Sequence, residues 1–555
     1  MKRVLCLLTI SFIITSCGMD NSNSKEKVIF FSQETGFYED QISLVLSSQL
    51  NGTIYYTLDG SEPTDHSLKY QKPITLAKSS SIKNMISDIR NITILEDTYF
   101  PNYNVDKCQA VKAIEYYENG DKSDTFVNYY FIGVNEEHYA DLPIVLLDTS
   151  YDNLFDYEEG IYVPGVTYDN AEKSDYSYPE EIPANYNNKG KEWERTALLT
   201  YFDSNHEFKL RQNVGIRIHG GWSRAFNQKS FNIYARKEYS DSKVIEEPLF
   251  GEFLTKTFML RNGGYRDVFI TKSRDTLAQT LLKESAVEVQ RNFPVVTFLN
   301  GEYWGIYNLQ ERFSDTYFEE HYGIDKDNVI IIEKDELDEG EAADINLYNE
   351  MLYYFQSEDF STENGLDKAK NYINIESFAD YMASELIIGN VDWPYNNVRM
   401  FRSREVGSHP KEDGKWRFCL YDTDDSMGII SKADYNSDPF DNIAHWKNGP
   451  LDSGCTIGLL FTALLNNQQF VEYFSNRFEN LANNIFSQEN IYDYLENQKS
   501  LLAKPMELFY KRFVSNNENQ YNFSYFRNEC DKIETFFIQR RPFVIQKMKE
   551  HLGLL

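Results

Sequence analysis

The residues whose types and spacing could do chemistry lie between Asp392 and Asp424. The first group reads NVDWPYNN, Asn390 to Asn397. In an Asp-x-x-x-x-Asn pair the carboxylate can meet an acceptor hydroxyl while the amide, five positions on, binds Mg2+. The second group is KWRFCLYDTDDSMG, Lys415 to Gly428, where Asp422 follows an apolar strand pattern (Trp416, Phe418, Leu420). A second metal carboxylate is expected there. Mg2+ takes oxygen ligands and shares them with phosphates, so one amide and one or two carboxylates suffice. Alone, such a pair is more often a solvated turn, because Asp and Asn are abundant in this chain. The order of the parts around it argues for the site.

Those parts must position the two groups. A helix is expected over Ile375 to Ile388, with Asn374 as its N-cap and Phe378, Met382 and Leu386 on its apolar face. It would deliver Asp392 from a buried support rather than from a loop. Upstream, Gly215 to Arg224 reads as a strand that breaks at Gly220-Gly221 just before Ser223. Backbone amides in such a turn can approach phosphate oxygens because no Cβ intervenes. Lys229 opens the next strand and could pair the α- and β-phosphates, although an exposed strand lysine is the commoner reading. A helix over Arg274 to Val289 offers Glu284 or Glu288 as its partner. A hairpin is expected at Asn300-Gly301, between Val295–Leu299 and Tyr303–Leu309. Glu311 then falls between a strand and a helix (Thr316 to Tyr322), where an adenine-binding hinge would sit.

Length and composition set the frame. At 555 residues, 41% hydrophobic and 15% aromatic, the chain exceeds one core and suits two or three globular domains. A formal charge of −31 argues against nucleic acid and against anionic lipid as partners. Residues 1–17 read as a targeting segment: Lys2 and Arg3, an apolar run from Val4 to Ile14, then Thr15-Ser16-Cys17. That ending resembles a bacterial lipobox, so Cys17 is the expected lipidation site and residues 18–27 a tether. Cys108, Cys419, Cys455 and Cys530 show no metal or disulfide spacing. Anchoring by lipid outside the cytoplasm, periplasmic or at the cell surface, is the expected location.

Residues 28–133 read as short strands and turns, a small β-sandwich. The stretch GTIYYTLDGSEPT, with YQKPITL and KAIEYYENGDKSD, resembles the immunoglobulin-like module at the C-terminus of chitobiases and β-hexosaminidases. Such modules look like spacers or weak carbohydrate contacts. For Tyr55, Tyr56 and Tyr70, core packing is the better reading than sugar stacking. From 134 to 552 strands come first and helices later, giving an α+β pattern in two lobes, about 195–310 and about 312–552.

Six ordered strings extend over roughly residues 140 to 550: LFDYEEGIYV, VGIRIHGGWSRAFNQKSFNIYAR, MLRNGGYRD, VTFLNGEYWGIYNLQERF, GNVDWPYNNVRMFR and KWRFCLYDTDDSMG. Together they resemble the spore-coat protein H (CotH) kinase-like family. That resemblance implies an atypical protein-kinase fold, ATP with Mg2+ or Mn2+, and phosphorylation of Ser or Thr on secreted or surface proteins. It implies Lys229 as the nucleotide lysine, Asp392 as the catalytic Asp, and Asn397, Asp422 and Asp424 as metal ligands. The sequence departs from the family at HGGWSR, where many relatives carry a G-N-S-type turn, and in having a single Lys229 where a Lys pair is common. AMP transfer, a non-catalytic surface protein binding a glycan or partner, and a stiffening Ca2+ site at the Asp cluster are the alternatives.

Overall fold

Alternation along two strands builds the N-terminal region. The computed structural model describes residues 29–58, 60–362, 364–441 and 455–555. The expected signal segment with Cys17, and the tether, lie outside these residues. Strands Cys108–Tyr116 and Phe126–Ile132 form the middle of a five-stranded sheet, flanked by Gly36–Tyr38 on one side and by Thr53–Thr57 and Leu68–Lys69 on the other. One face carries Val111, Ala113, Tyr130 and Ile132, covered by the short ladders Ile42–Leu44/Ile74–Leu76 and Ile29–Phe31/Leu46–Ser48. Tyr56 and Tyr70 pack against this small core.

The opposite face is not solvent-exposed. Ala110, Val127, Tyr129 and Phe131 belong to the large core shared with the rest of the chain. The Phe131 ring lies 6.1 Å from that of Phe202 and 5.3 Å from that of Phe298. Thr200 Oγ1 donates to the Tyr129 hydroxyl at 2.8 Å. Glu302, 3% exposed, accepts from the Met85 and Ser87 amides at 2.5 and 2.8 Å. The sandwich expected as a spacer therefore shares its core with the next unit of the chain.

That unit is a closed seven-stranded barrel. Its strands are β1 (Ile144–Asp148), β2 (Arg195–Phe202), β3 (Phe208–His219), β4 (Ser230–Tyr234), β5 (Thr257–Arg261), β6 (Asn292–Leu299) and β7 (Glu302–Glu311). The order is β1-β2-β3-β4-β5-β7-β6, closed by parallel pairing of β6 with β1. The β6–β7 hairpin turns at Asn300 (φ +45) and Gly301 (φ +76), as an Asn-Gly pair with two left-handed residues should. The barrel thus begins at Ile144, earlier than the expected boundary near 195.

The remainder is helical around a second, four-stranded sheet: Glu336–Glu339, Val329–Glu333, Arg399–Ser403 and Arg417–Cys419. Helix α1 spans only Arg274–Leu281. The stretch after it pairs instead with the sheet, Glu288 N donating to Phe418 O at 3.0 Å and Leu420 N to Glu288 O at 2.9 Å. Two β-branched valines flank Glu288, which suits an extended edge better than a helix. Helix α2 is Ile375–Ile388, and the long helices α3 (Gln488–Phe513) and α4 (Phe523–Leu552) close the fold. No described helix is long and apolar enough to cross a membrane.

Replacing Glu302 by Ala strands the buried Ser87 amide, worth about 1–3 kcal/mol, and frees the part-buried Met85 amide. Loss of about 2–4 kcal/mol in urea unfolding is expected, with new protease sensitivity around 84–105. A wild-type protein whose sandwich and barrel melt in separate steps would contradict the shared core.

Candidate active site

Helix α2 places Asp392. Asn374 Oδ1 caps its first turn by accepting from Ser377 N at 2.9 Å, and Gly389 ends it with φ +66. All its residues except Glu376 are buried, so the chain leaves it from a fixed point. Asn390 then folds back, donating to Glu385 Oε2 at 3.0 Å and accepting from Asp392 N at 3.2 Å. The Asp392 carboxylate is held on both oxygens: Asn396 Nδ2 donates to Oδ1 at 2.8 Å and Asn397 Nδ2 to Oδ2 at 2.9 Å. Asn397 Nδ2 also reaches the Asp422 carbonyl at 3.1 Å. One amide group therefore joins the two sequence groups, leaving its Oδ1 outside both bonds. Asn397 (φ +59) and Asp422 (φ +58) are left-handed, a conformation Asn and Asp tolerate better than other side chains.

The Asp422–Asp424 segment meets the barrel through Arg261, at the end of β5. Its Nη2 lies 2.5 Å from Asp422 Oδ1 and 3.3 Å from Asp424 Oδ1, and its Nε is 3.5 Å from Asp275 Oδ2. Burial raises the Asp422 carboxyl, but the Arg261 guanidinium and the hydrogen bond to Asp424 more than reverse this, leaving it below the ordinary value. Asp424 goes the other way, driven well up by burial and by the abutting Asp422 charge. Two buried carboxyls in contact with one guanidinium behave so, because only one of them can ionise easily.

Fixed backbone surrounds this pair. Asp275, in the first turn of α1, accepts from Thr423 N at 3.0 Å and from Gln310 Nε2 at 3.1 Å. Asp267, fully buried, anchors the start of α1 by accepting from Ser273 N at 2.8 Å and Arg274 N at 3.1 Å. Arg266 N donates to Asp424 Oδ2 at 2.9 Å. At Gly264 (φ +89) a Cβ would fall 2.3 Å from the Asp424 carboxyl carbon, so no other residue fits. Among the described residues no three His, Cys, Asp or Glu side chains converge as a self-contained metal cage. The set here is two carboxylates and the Asn397 amide, which suits a cation that shares its shell with phosphates.

The structure thus brings Asp392, Asn397, Asp422 and Asp424 together. Gly220 (φ +109) and Gly221 begin the turn after β3, and His219, just before them, feels both Arg261 and Asp422. Burial and the Arg261 and Arg224 charges push the His219 imidazole down to about 3, so it is neutral. Ser223 is buried inside the turn, its Oγ 2.5 Å from where a Gly220 Cβ would stand. Asp425 is more fixed than a solvated turn residue, paired with Arg266 Nε at 3.1 Å.

Lys229 is not brought to the cluster. Its Nζ donates to the carbonyls of Arg224 at 2.6 Å and Phe226 at 2.7 Å, between the rings of Tyr162 and Tyr186. Burial, then the Arg224 charge, push it well below the usual lysine range. It braces the turn from within. Neither Glu284, which is exposed, nor Glu288, which pairs with Lys411 and accepts from the Tyr322 hydroxyl at 2.6 Å, is its partner. Glu311 is likewise engaged throughout. Its side chain takes Arg291 N and His321 at 2.8 Å each, its N–H donates to Arg291 O at 3.0 Å, and its carbonyl accepts from Gln290 Nε2 at 2.6 Å. The Glu311 N–H is therefore not free for an adenine edge.

Sequence reasoning gave no role to Arg261, Asp275, Asp267, Gly264 or Glu385. Arg261, Gly264 and Asp267 lie in the MLRNGGYRD string, whose paired glycines were the available signal, and Asp275 lies beyond it. Glu385 carried none. Its Oε1 has no hydrogen-bond partner, and burial with the Asp275 and Asp392 charges pushes its carboxyl from 4.5 up to about 8. A carboxyl raised in the folded state costs stability progressively as pH climbs from its unfolded value to its folded one. Glu385→Gln, which keeps the Asn390 bond, should therefore melt higher than wild type by a margin that grows from about pH 5 to about pH 8. A margin that is flat over this range would refute the buried acid.

Comparison with known families gives two matches. A model of the CotH kinase protein family matches residues 216–544, and one of the chitobiase/beta-hexosaminidase C-terminal domain matches residues 33–93. No curated protein matches the chain. The first match opens inside β3 and takes in both sequence groups, Arg261 and the glycine turn. It covers more than half of the chain, which therefore belongs to the CotH kinase protein family.

Proposed function

We propose that this chain is an extracytoplasmic, lipid-anchored phosphotransferase that moves the terminal phosphate of ATP to Ser or Thr hydroxyls of secreted or surface proteins. The observation that carries this is the Asn397 amide bridging the Asp392 carboxylate and the Asp422 backbone. Asn397, Asp422 and Asp424 would hold Mg2+ or Mn2+, which supplies neutralisation of phosphate charge. Asp392 accepts a hydrogen bond from the incoming hydroxyl and aims it; Asn396 and Asn397 fix its plane. Positioning and electrostatics do most of the work in such a transfer. The glycine turn at Gly220-Gly221 offers amides to the phosphates. Export and anchoring rest on the N-terminal segment and Cys17.

A second reading keeps the scaffold and drops the chemistry: a surface protein that binds a glycan or a protein partner. It is favoured by one feature, that both Asp392 oxygens and both acidic ligands already have partners within the chain.

The soluble protein from residue 20 onward, given labelled ATP, Mg2+ or Mn2+ and a generic acceptor, separates the two. Transfer is expected, falling about 10²–10⁴-fold in Asp392→Asn. Asp422→Ala should remove both transfer and the rise in melting temperature caused by nucleotide with metal. Label on the α- or the γ-phosphate distinguishes AMP from phosphate transfer. Absence of any nucleotide-dependent shift with either metal would favour the binding protein.

A further inference from the structure

The phosphotransfer reading needs a cation on the nucleotide, and Lys229, bonded to two carbonyls, does not supply it. Four neighbouring cations are also committed. Lys272 Nζ donates to Gln228 Oε1 at 2.9 Å and to the Asn262 carbonyl. Arg224 donates to the carbonyls of Gly220 at 2.6 Å and Tyr186 at 2.9 Å. Arg274 pairs with Asp267, and Arg266 with Asp425. Arg261 differs. It is 5% exposed, and its Nη2 lies between Asp422 and Asp424.

Resting on that reading, we propose that Arg261 is the residue that binds the phosphates of the nucleotide, in the place the sequence assigned to Lys229. Here Arg261 faces three carboxylates, Asp275, Asp422 and Asp424. Asp275 is itself fixed by Thr423 and Gln310, so the Nε end of the guanidinium stays where it is. A divalent cation on Asp422 and Asp424 takes over the partners of Nη2 and leaves a buried positive fork beside the metal. A phosphate oxygen is the partner that restores charge balance, and the planar guanidinium matches it with two parallel N–H bonds. Place agrees with chemistry: His219, which feels both Arg261 and Asp422, precedes the Gly220-Gly221 turn directly. Guanidinium and carboxylates thus lie near the residue that leads into the glycine turn. Arg261 also competes with the metal for the same oxygens, so it has opposite effects on metal alone and on metal with nucleotide.

Calorimetric titration of the soluble protein with Mn2+ alone, and with ATP in the presence of Mg2+, reads both effects. Arg261→Gln is expected to bind Mg·ATP about tenfold or more weakly, the worth of one charge-assisted bond. It should bind Mn2+ alone more tightly than wild type, a change that a merely structural arginine would not produce. Arg261→Lys, which keeps the charge and loses the fork, should fall between the two for Mg·ATP and guards against a misfolded Gln variant. The proposal is overturned if either variant binds Mg·ATP as well as wild type does, or if affinity for Mn2+ alone falls in parallel with that for Mg·ATP. A wild-type protein that binds no nucleotide sinks the phosphotransfer reading along with it. Wild-type binding that survives in both variants sinks only the role of Arg261.

Discussion

One guanidinium against three carboxylates, two of them buried, ties the barrel to the helical part of this protein. Arg261 ends a barrel strand, Asp275 opens the helix that comes next, and Asp422 and Asp424 belong to the loop after the second sheet. Desolvating such a group costs several kcal/mol per ion, and a well-packed apolar replacement is often as stable. Charges concentrated in this way are poor evidence for stability and good evidence for a site. The net excess of acid around Arg261 is what a divalent cation would relieve. It also explains why Asp422 and Asp424 shift in opposite directions although they stand two residues apart.

Much of the surrounding backbone exists to hold those groups still. Asp267 gathers the amides at the start of α1, so that Asp275 keeps one position. Gly264 lets the chain lie flat on Asp424, and Arg266 N completes the contact. Left-handed backbone at Asn397 and Asp422 places the amide of one against the carbonyl of the other. Strain of this kind, gathered at one spot and offset elsewhere by packing, is characteristic of functional centres. Behind it stands α2, sealed on nearly all sides.

What could be read from the sequence was local. Helix α2 matches expectation over Ile375–Ile388, because its Asn374 cap and its apolar period are both written locally. The Asn300-Gly301 hairpin and the Asp-x-x-x-x-Asn pair are local for the same reason. Failures came where a partner lay far along the chain, or where an irregular turn folded back on the residue after it. Ser285 to Val289 carries helix-compatible residues, yet its amides find the strand at Arg417–Cys419 and leave the helix. Lys229 stands at a plausible strand start, but the turn before it curls over and captures its ammonium. Nothing short-range marks Arg261, whose partners Asp422 and Asp424 are more than a hundred and fifty residues away. The early start of the barrel, at Ile144, was hidden because β1 closes it by pairing with β6.

Closure by β1 and β6 sets a limit on how the protein can be divided. The family match opens at Ile216, in the middle of β3, so a chain cut at that point loses two whole staves and most of a third. The rim of β6 would then present an unpaired row of amides and carbonyls, an invitation to stick to its own kind. Phe202 would go with the lost staves, and with it part of the floor on which the sandwich sheet sits. The smallest fragment that could carry the cleft intact is therefore larger than its homology suggests, and its inner edge lies before Ile144.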